Sequence, residues 1–135
     1  MKDPILLLSS TLFVIPMTYA ASCQFWYIYG SWLSLLMASI VYHSSKNQLV
    51  MRLDQLTICN MIYLSFITGY ELQLVYLPVL GTLWSTYVYL YGYATNTLAF
   101  SPHYIESSLY HGSMHAMLSG TWAYGIYVKQ NLNSQ

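Results

Sequence analysis

Charge is what this chain has least of. Lys and Arg together number four, and Asp and Glu another four, in 135 residues. A water-soluble domain draws about a quarter of its residues from these types, so an ordinary water-facing surface is excluded. Net charge is zero and no run of Lys or Arg occurs, which excludes the electrostatic footprint of a nucleic-acid-binding protein. Cysteine is scarce too. Cys23 and Cys59 are the two present, and Cys59 lies in an apolar run where a thiol behaves as a small hydrophobe. A disulfide framework is therefore not expected. Internal repeats are missing, and the one low-complexity stretch is the terminal "NLNSQ".

Apolar residues make up 56% of the chain, and 15 residues are Tyr. The remaining polarity is mostly Ser, Thr and Tyr, which membrane helices tolerate. Crossing the hydrocarbon core takes about 20 mostly apolar residues as helix. Five segments qualify, at 5–21, 24–43, 52–70, 73–93 and 106–127. The reading is an all-α integral membrane protein, multi-pass, with one transmembrane helical domain over 1–135 built as a bundle of about five transmembrane helices. Breaks fall at "AASCQ", "HSSKNQ", "GYELQ" and "GYATNTLAFSPHY", each holding turn formers or polar residues. The first three connections are short, so neighbouring helices are expected to pack antiparallel.

The first segment, with "TYA" near its end, also fits a signal peptide. Asp3 beside the lone Lys2 is atypical of the charged leader of such a peptide, and a retained helix is the expected reading. Five passes put the N-terminus and the 44–51 and 94–105 loops on one side. Lys2, Lys46 and Arg52 lie there, against Lys129 on the other, so the first side is read as cytoplasmic or matrix-like.

Two histidines stand four apart in "LYHGSMHAML", which on a helix places His111 and His115 on one face, a turn apart. By the same count of passes, His43 ends the second helix and Asp54 begins the third, at the depth of the histidine pair. Ser39 sits one turn before His43 on the same stripe, and Ser107 stands in the same relation to His111. Ionisable groups inside spanning segments cost a few kcal/mol each and by default mark function. A histidine pair alone is more often a hydrogen-bonded interior feature. A third histidine and an aspartate at matching depth favour a metal. Three neutral imidazoles with one open position form a catalytic zinc set, and such an ion lowers the pKa of its water to about 7. Asp54 is then the candidate to hold that water and shuttle its proton. Ser39 is the candidate donor to a developing oxyanion or to a ligand that needs orienting. Haem fits less well, because two histidines on one helix do not reach both axial positions.

The stretch "SIVYHSSKNQLVMRLDQLTI" reads as S-x3-H, a short gap, then an L-D dipeptide opening a helix. "HGSMHAMLSGTWAY" reads as H-x3-H followed by small and aromatic residues. Together they resemble the CREST superfamily of membrane hydrolases, which groups alkaline ceramidases, the progestin and adipoQ receptors, and a set of transmembrane GPI phospholipases. The likeness is strongest to alkaline ceramidases, in the Ser39, His43 and Asp54 spacing and the order of motifs. It covers roughly residues 36–62 and 107–124. The resemblance implies His43, His111 and His115 as ligands of Zn2+, with Asp54 and Ser39 supporting the metal-bound water. It also implies a lipid substrate, cleaved at an amide or ester bond. The family has seven spanning helices and this chain has room for five, so it resembles a shortened form. Removing two helices between the third and the last keeps the last in its direction, and the metal half-sites still meet. The missing pair would wall the lipid-chain pocket, which leaves a smaller substrate, an open cleft, or completion by a second protomer or another subunit. The alternative function is a non-catalytic membrane protein of the same fold, receptor-like or an accessory subunit of a membrane complex, keeping a structural or relic metal site.

Other residues carry plainer expectations. His103 and Glu106 belong to a solvated loop. Thr57 and Asn60 are expected to hydrogen-bond locally or between helices. Glu71 is expected to snorkel at a turn, and Tyr91 and Tyr93 to belt the interface. Tyr87 and Tyr89, set deeper, line a polar pocket or a partner surface. Pro78 and Gly81 are expected to kink the fourth helix.

Overall fold

The computed structural model describes residues 4–45, 47–71 and 73–133. Lys2, Asp3, Lys46 and Leu72, used above for topology and turns, lie outside the described residues. Among the described residues the chain is all-helical, with five helices and no strand. α1 runs Pro4–Ser22, α2 Trp26–Ser45 and α3 Gln48–Glu71. α4 (Tyr76–Thr86) continues through a π-helical turn, Tyr87–Tyr91, into Gly92–Thr95. α5 covers Tyr104–Asn133. α3 therefore starts four residues earlier than the apolar run at 52–70, and α5 extends past 127. Polar residues at helix ends are invisible to a hydropathy criterion but continue the backbone hydrogen bonding.

Three of the chain breaks share one terminator. Gln24, Gln73 and Asn96 all have positive φ, at 59°, 57° and 53°. Each is followed by an N–H that returns to a carbonyl five residues back: Phe25 to Ala20 at 2.8 Å, Leu74 to Gly69 at 2.7 Å and Thr97 to Gly92 at 3.1 Å. This is the Schellman closure, which satisfies the last helical carbonyls. Glutamine takes the left-handed position twice where glycine is usual. At the third, Gly92 is needed, since a Cβ there would lie 2.7 Å from the Thr97 carbonyl oxygen.

α1 is irregular for reasons legible in its residues. Ser9 Oγ and Ser10 Oγ both donate to the Leu6 carbonyl, and Thr11 Oγ1 donates to Leu8. Such back-bonding bends helices, and Pro16 removes the N–H that would meet Leu12. A 3-10 turn at Thr11–Phe13 results. Pro78, by contrast, falls in the first turn of α4, where proline is tolerated, so it does not kink the helix. Gly81 instead lets α4 approach α5, where a Cβ would sit 3.5 Å from Thr121 Oγ1. The irregularity of α4 is the π turn.

α2 packs between α1 and α3, while α5 packs between α1 and α4, and α4 also touches α3. The apolar core of Phe13, Ile28, Trp32, Leu35, Met61, Leu64, Trp122 and Ile126 fills the space between α1, α2, α3 and α5. Trp122 Nε1–H donates to Ser65 Oγ at 2.5 Å, and Ser65 passes its own proton to the Met61 carbonyl. Trp32 and Trp122 meet edge to face, and Phe13 continues the aromatic contacts upward to His115, 4.8 Å between ring centroids. The core therefore ends directly beneath a histidine.

Candidate metal centre

Antiparallel packing puts the start of α1, the end of α2, the start of α3 and the start of α5 at one end of the bundle. His43 occupies the last turn of α2 with 2% of its surface exposed. His115 on α5 is 5% exposed, and His111, a turn earlier, is half-buried. The three imidazoles converge. One ring nitrogen from each lies within 4.8 Å of the others, a grouping able to hold a metal ion. Ring centroids stand 5.2 Å (His43 to His111), 5.7 Å (His43 to His115) and 5.2 Å (His111 to His115) apart. Tetrahedral Zn–N bonds of about 2 Å place ligand nitrogens about 3.3 Å apart, so small ring rotations close the set.

The donor chemistry fits a metal. His43 Nε2 is buried and makes no hydrogen bond among the described residues. His115 Nδ1 lies 2.9 Å from Ser9 Oγ. An outer hydrogen bond on the far ring nitrogen is the usual support of a ligating histidine.

Asp54 is 5% exposed in the second turn of α3. Among the described residues no ion pair involves it; the pair that forms is Lys129 with Glu71, 3.5 Å. Its carboxylate accepts a hydrogen bond from Ser39, while Oδ1 has no hydrogen-bond partner among the described residues. Ser39 Oγ also lies 3.1 Å from Ser10 Oγ. Tyr42 is within electrostatic reach of Asp54 and of Tyr89, the latter on the π turn, and its ring lies 5.0 Å from that of His43.

The structure brings together His43, His111 and His115, and separately couples Asp54 to Ser39. Ser107 is used elsewhere, donating to the Ala99 carbonyl at 2.6 Å. His103 is exposed in the loop before α5, and Glu106 accepts from Ser101 Oγ at 2.7 Å. Asn60 reaches across to Ser31 Oγ at 3.4 Å, and Thr57 bonds the Asp54 carbonyl. Glu71 does not merely reach for solvent; it meets Lys129 across the far end of the bundle. Cys23 and Cys59 are free.

Sequence reasoning missed the contributions of α1. Ser9 and Ser10 are the polar doublet inside "PILLLSSTLFVIP", at the depth of the histidines by the count of passes. That doublet was the available signal. Comparison of the chain with protein-family models, with curated proteins and with solved structures finds no match.

Proposed function

We propose that this chain is a multi-pass membrane protein and a zinc-dependent hydrolase that cleaves an amide or ester bond in a lipid, in the manner the CREST resemblance implies. One helix, α1, is long and apolar enough to cross a membrane. The others are less apolar because Trp, Tyr, Ser and His dilute their hydropathy, yet most of their ionisable side chains near the histidine cluster are buried. Leu8, Met37, Leu49, Leu56, Leu83, Ile105 and Leu109, from all five helices, are exposed, whereas Ser10, Ser39, His43, Asp54, Ser108 and His115 are buried. Large apolar side chains on the outside of every helix, with ionisable groups kept inside beside the apolar core, suit a hydrocarbon solvent.

The observation that carries the reading is the convergence of three imidazoles from two helices at the end of the bundle where α3 begins with a buried carboxylate held by Ser39. A zinc ion, when bound by His43, His111 and His115, supplies Lewis acidity toward a carbonyl and activates water. Asp54 Oδ1 takes the proton of the attacking water and returns it to the leaving amine or alcohol. Ser39 anchors the other carboxylate oxygen, so that Oδ1 is the basic atom. The aromatic contact between Phe13 and His115 and the burial of His43 keep bulk water away from the ring faces.

A second reading is supported by the cavities. One of about 30 Å³, enough to hold a water molecule, is lined by Ser65, Gly69, Pro78, Thr121 and Trp122 at the other end of the bundle. A mostly buried histidine cluster with a cavity elsewhere suits a structural metal clip in a receptor-like or accessory subunit. Purified protein assayed against a lipid panel separates the two. Release of fatty acid that depends on Asp54 supports the hydrolase. One zinc per chain with no turnover, in protein that copurifies with partners in fixed stoichiometry, supports the clip.

A further inference from the structure

We infer that Ser9 is a positioning residue of the metal centre, holding His115 in the Nδ1–H tautomer so that Nε2 faces the ion. The inference rests on reading the histidine cluster as a metal site, and it concerns a helix that none of the motifs in α2, α3 and α5 includes.

A neutral imidazole carries one N–H, and the hydrogen bond made by one ring nitrogen decides which atom bears the proton. Ser9 Oγ lies 2.9 Å from His115 Nδ1 and donates its single proton to the Leu6 carbonyl at 3.0 Å. With that proton committed, Ser9 accepts from Nδ1–H. The chain of bonds then runs one way, from His115 through Ser9 to the backbone of α1. Nε2 keeps its lone pair for the cluster.

Three neighbours make this contact a built one. Phe13 is one turn beyond Ser9 on α1 and packs against the same ring, 4.8 Å between centroids and tilted by 54°, so α1 holds His115 by a hydrogen bond and by a ring contact. Gly112 stands between the two ligands of α5, three residues before His115. A Cβ at that position would come within 3.3 Å of Ser9 Cβ and 3.4 Å of its Oγ, so the missing side chain is what lets the helices close to hydrogen-bonding distance. Ser10, the next residue, lies 3.1 Å from Ser39, which in turn holds Asp54. One turn of α1 therefore braces the ligand side and the carboxylate side of the centre together.

The test uses the full chain in detergent, labelled with 15N-histidine and stripped of metal. Two-bond 1H–15N correlation spectra report which nitrogen of His115 is protonated. Wild type is expected to show the protonated signature at Nδ1, and Ser9→Ala to shift it to Nε2, the nitrogen that free neutral imidazole prefers to protonate. Zn2+ titration is expected to show a 10- to 100-fold loss of affinity in Ser9→Ala, the usual cost of removing such a support. Ser9→Cys, close in size and a poor acceptor, repeats the measurement if the alanine variant does not fold. A folded variant with the wild-type tautomer and wild-type Zn2+ affinity overturns the inference. Wild type that binds no Zn2+ overturns the metal reading instead, while its tautomer still tests the bond from Ser9 to His115.

Discussion

The rings of His43 and His111 meet edge to face, 5.2 Å between centroids and 82° between planes. They join the last turn of α2 to the first turns of α5 across 68 positions of sequence. Their approach creates a cluster that neither helix contains alone, and it is the contact on which a shared metal depends.

His43→Ala and His111→Ala are each expected to lose the metal, because two imidazoles and water hold Zn2+ far more weakly than three. Elemental analysis of purified wild type should give one zinc per chain and both variants close to none. Chelator treatment of wild type should lower its melting temperature, since an ion bound only by the folded state stabilises it. No zinc in wild type, with all three proteins equally stable, would return the cluster to a hydrogen-bonded interior feature.

Asp54→Asn should keep the metal while losing roughly 10²- to 10⁴-fold in turnover, the span of a general base. The carboxylate is not among the three ligands, and its amide replacement still accepts from Ser39. Zinc content and kcat measured on one preparation decide it. Loss of metal together with activity would make Asp54 a ligand or a structural anchor.

Gly112→Ala should weaken metal binding without removing any ligand, because its new methyl meets Ser9 at 3.3 Å. Gly120→Ala is the matched control on the same helix, with nothing within 4 Å of the added Cβ. It should be neutral or stabilise by up to about 1 kcal/mol through helix propensity. Zn2+ titration and thermal melts of the two variants are to be compared directly.

Trp122→Phe removes the N–H that donates to Ser65 at 2.5 Å and leaves most of the ring packing. A loss of about 1–2 kcal/mol is expected from the broken buried bond and lost volume, with metal content unchanged. Thermal denaturation beside zinc analysis checks both. A fall in zinc would mean that the core and the centre are coupled through Phe13.

Much of the helical framework was readable along the chain. Apolar runs separated by "AASCQ", "GYELQ" and "GYATN" mark α1, α3 and α4, because left-handed Gln24, Gln73 and Asn96 end helices by local backbone geometry. The spacing of His111 and His115 was readable for the same reason, since a helix turns about 3.6 residues. Pro78 misled, because its effect depends on its place within the helix, and the boundary of α4 is set by the Schellman turn at Gln73 rather than by hydropathy.

Sequence alone determined what depends on neighbours a few residues away: five helices, their terminators, the stripes of Ser39 with His43 and His111 with His115, and the shortage of charge. Tertiary structure decided which stripes face each other. Ser9 reaches His115 across 106 residues, Ser10 reaches Ser39 across 29, and Glu71 finds Lys129 at the far end. Helical periodicity gives a side chain's direction about its own axis, but only packing, through contacts such as Gly112 on Ser9 and Phe13 on His115, sets the rotation of one helix against another.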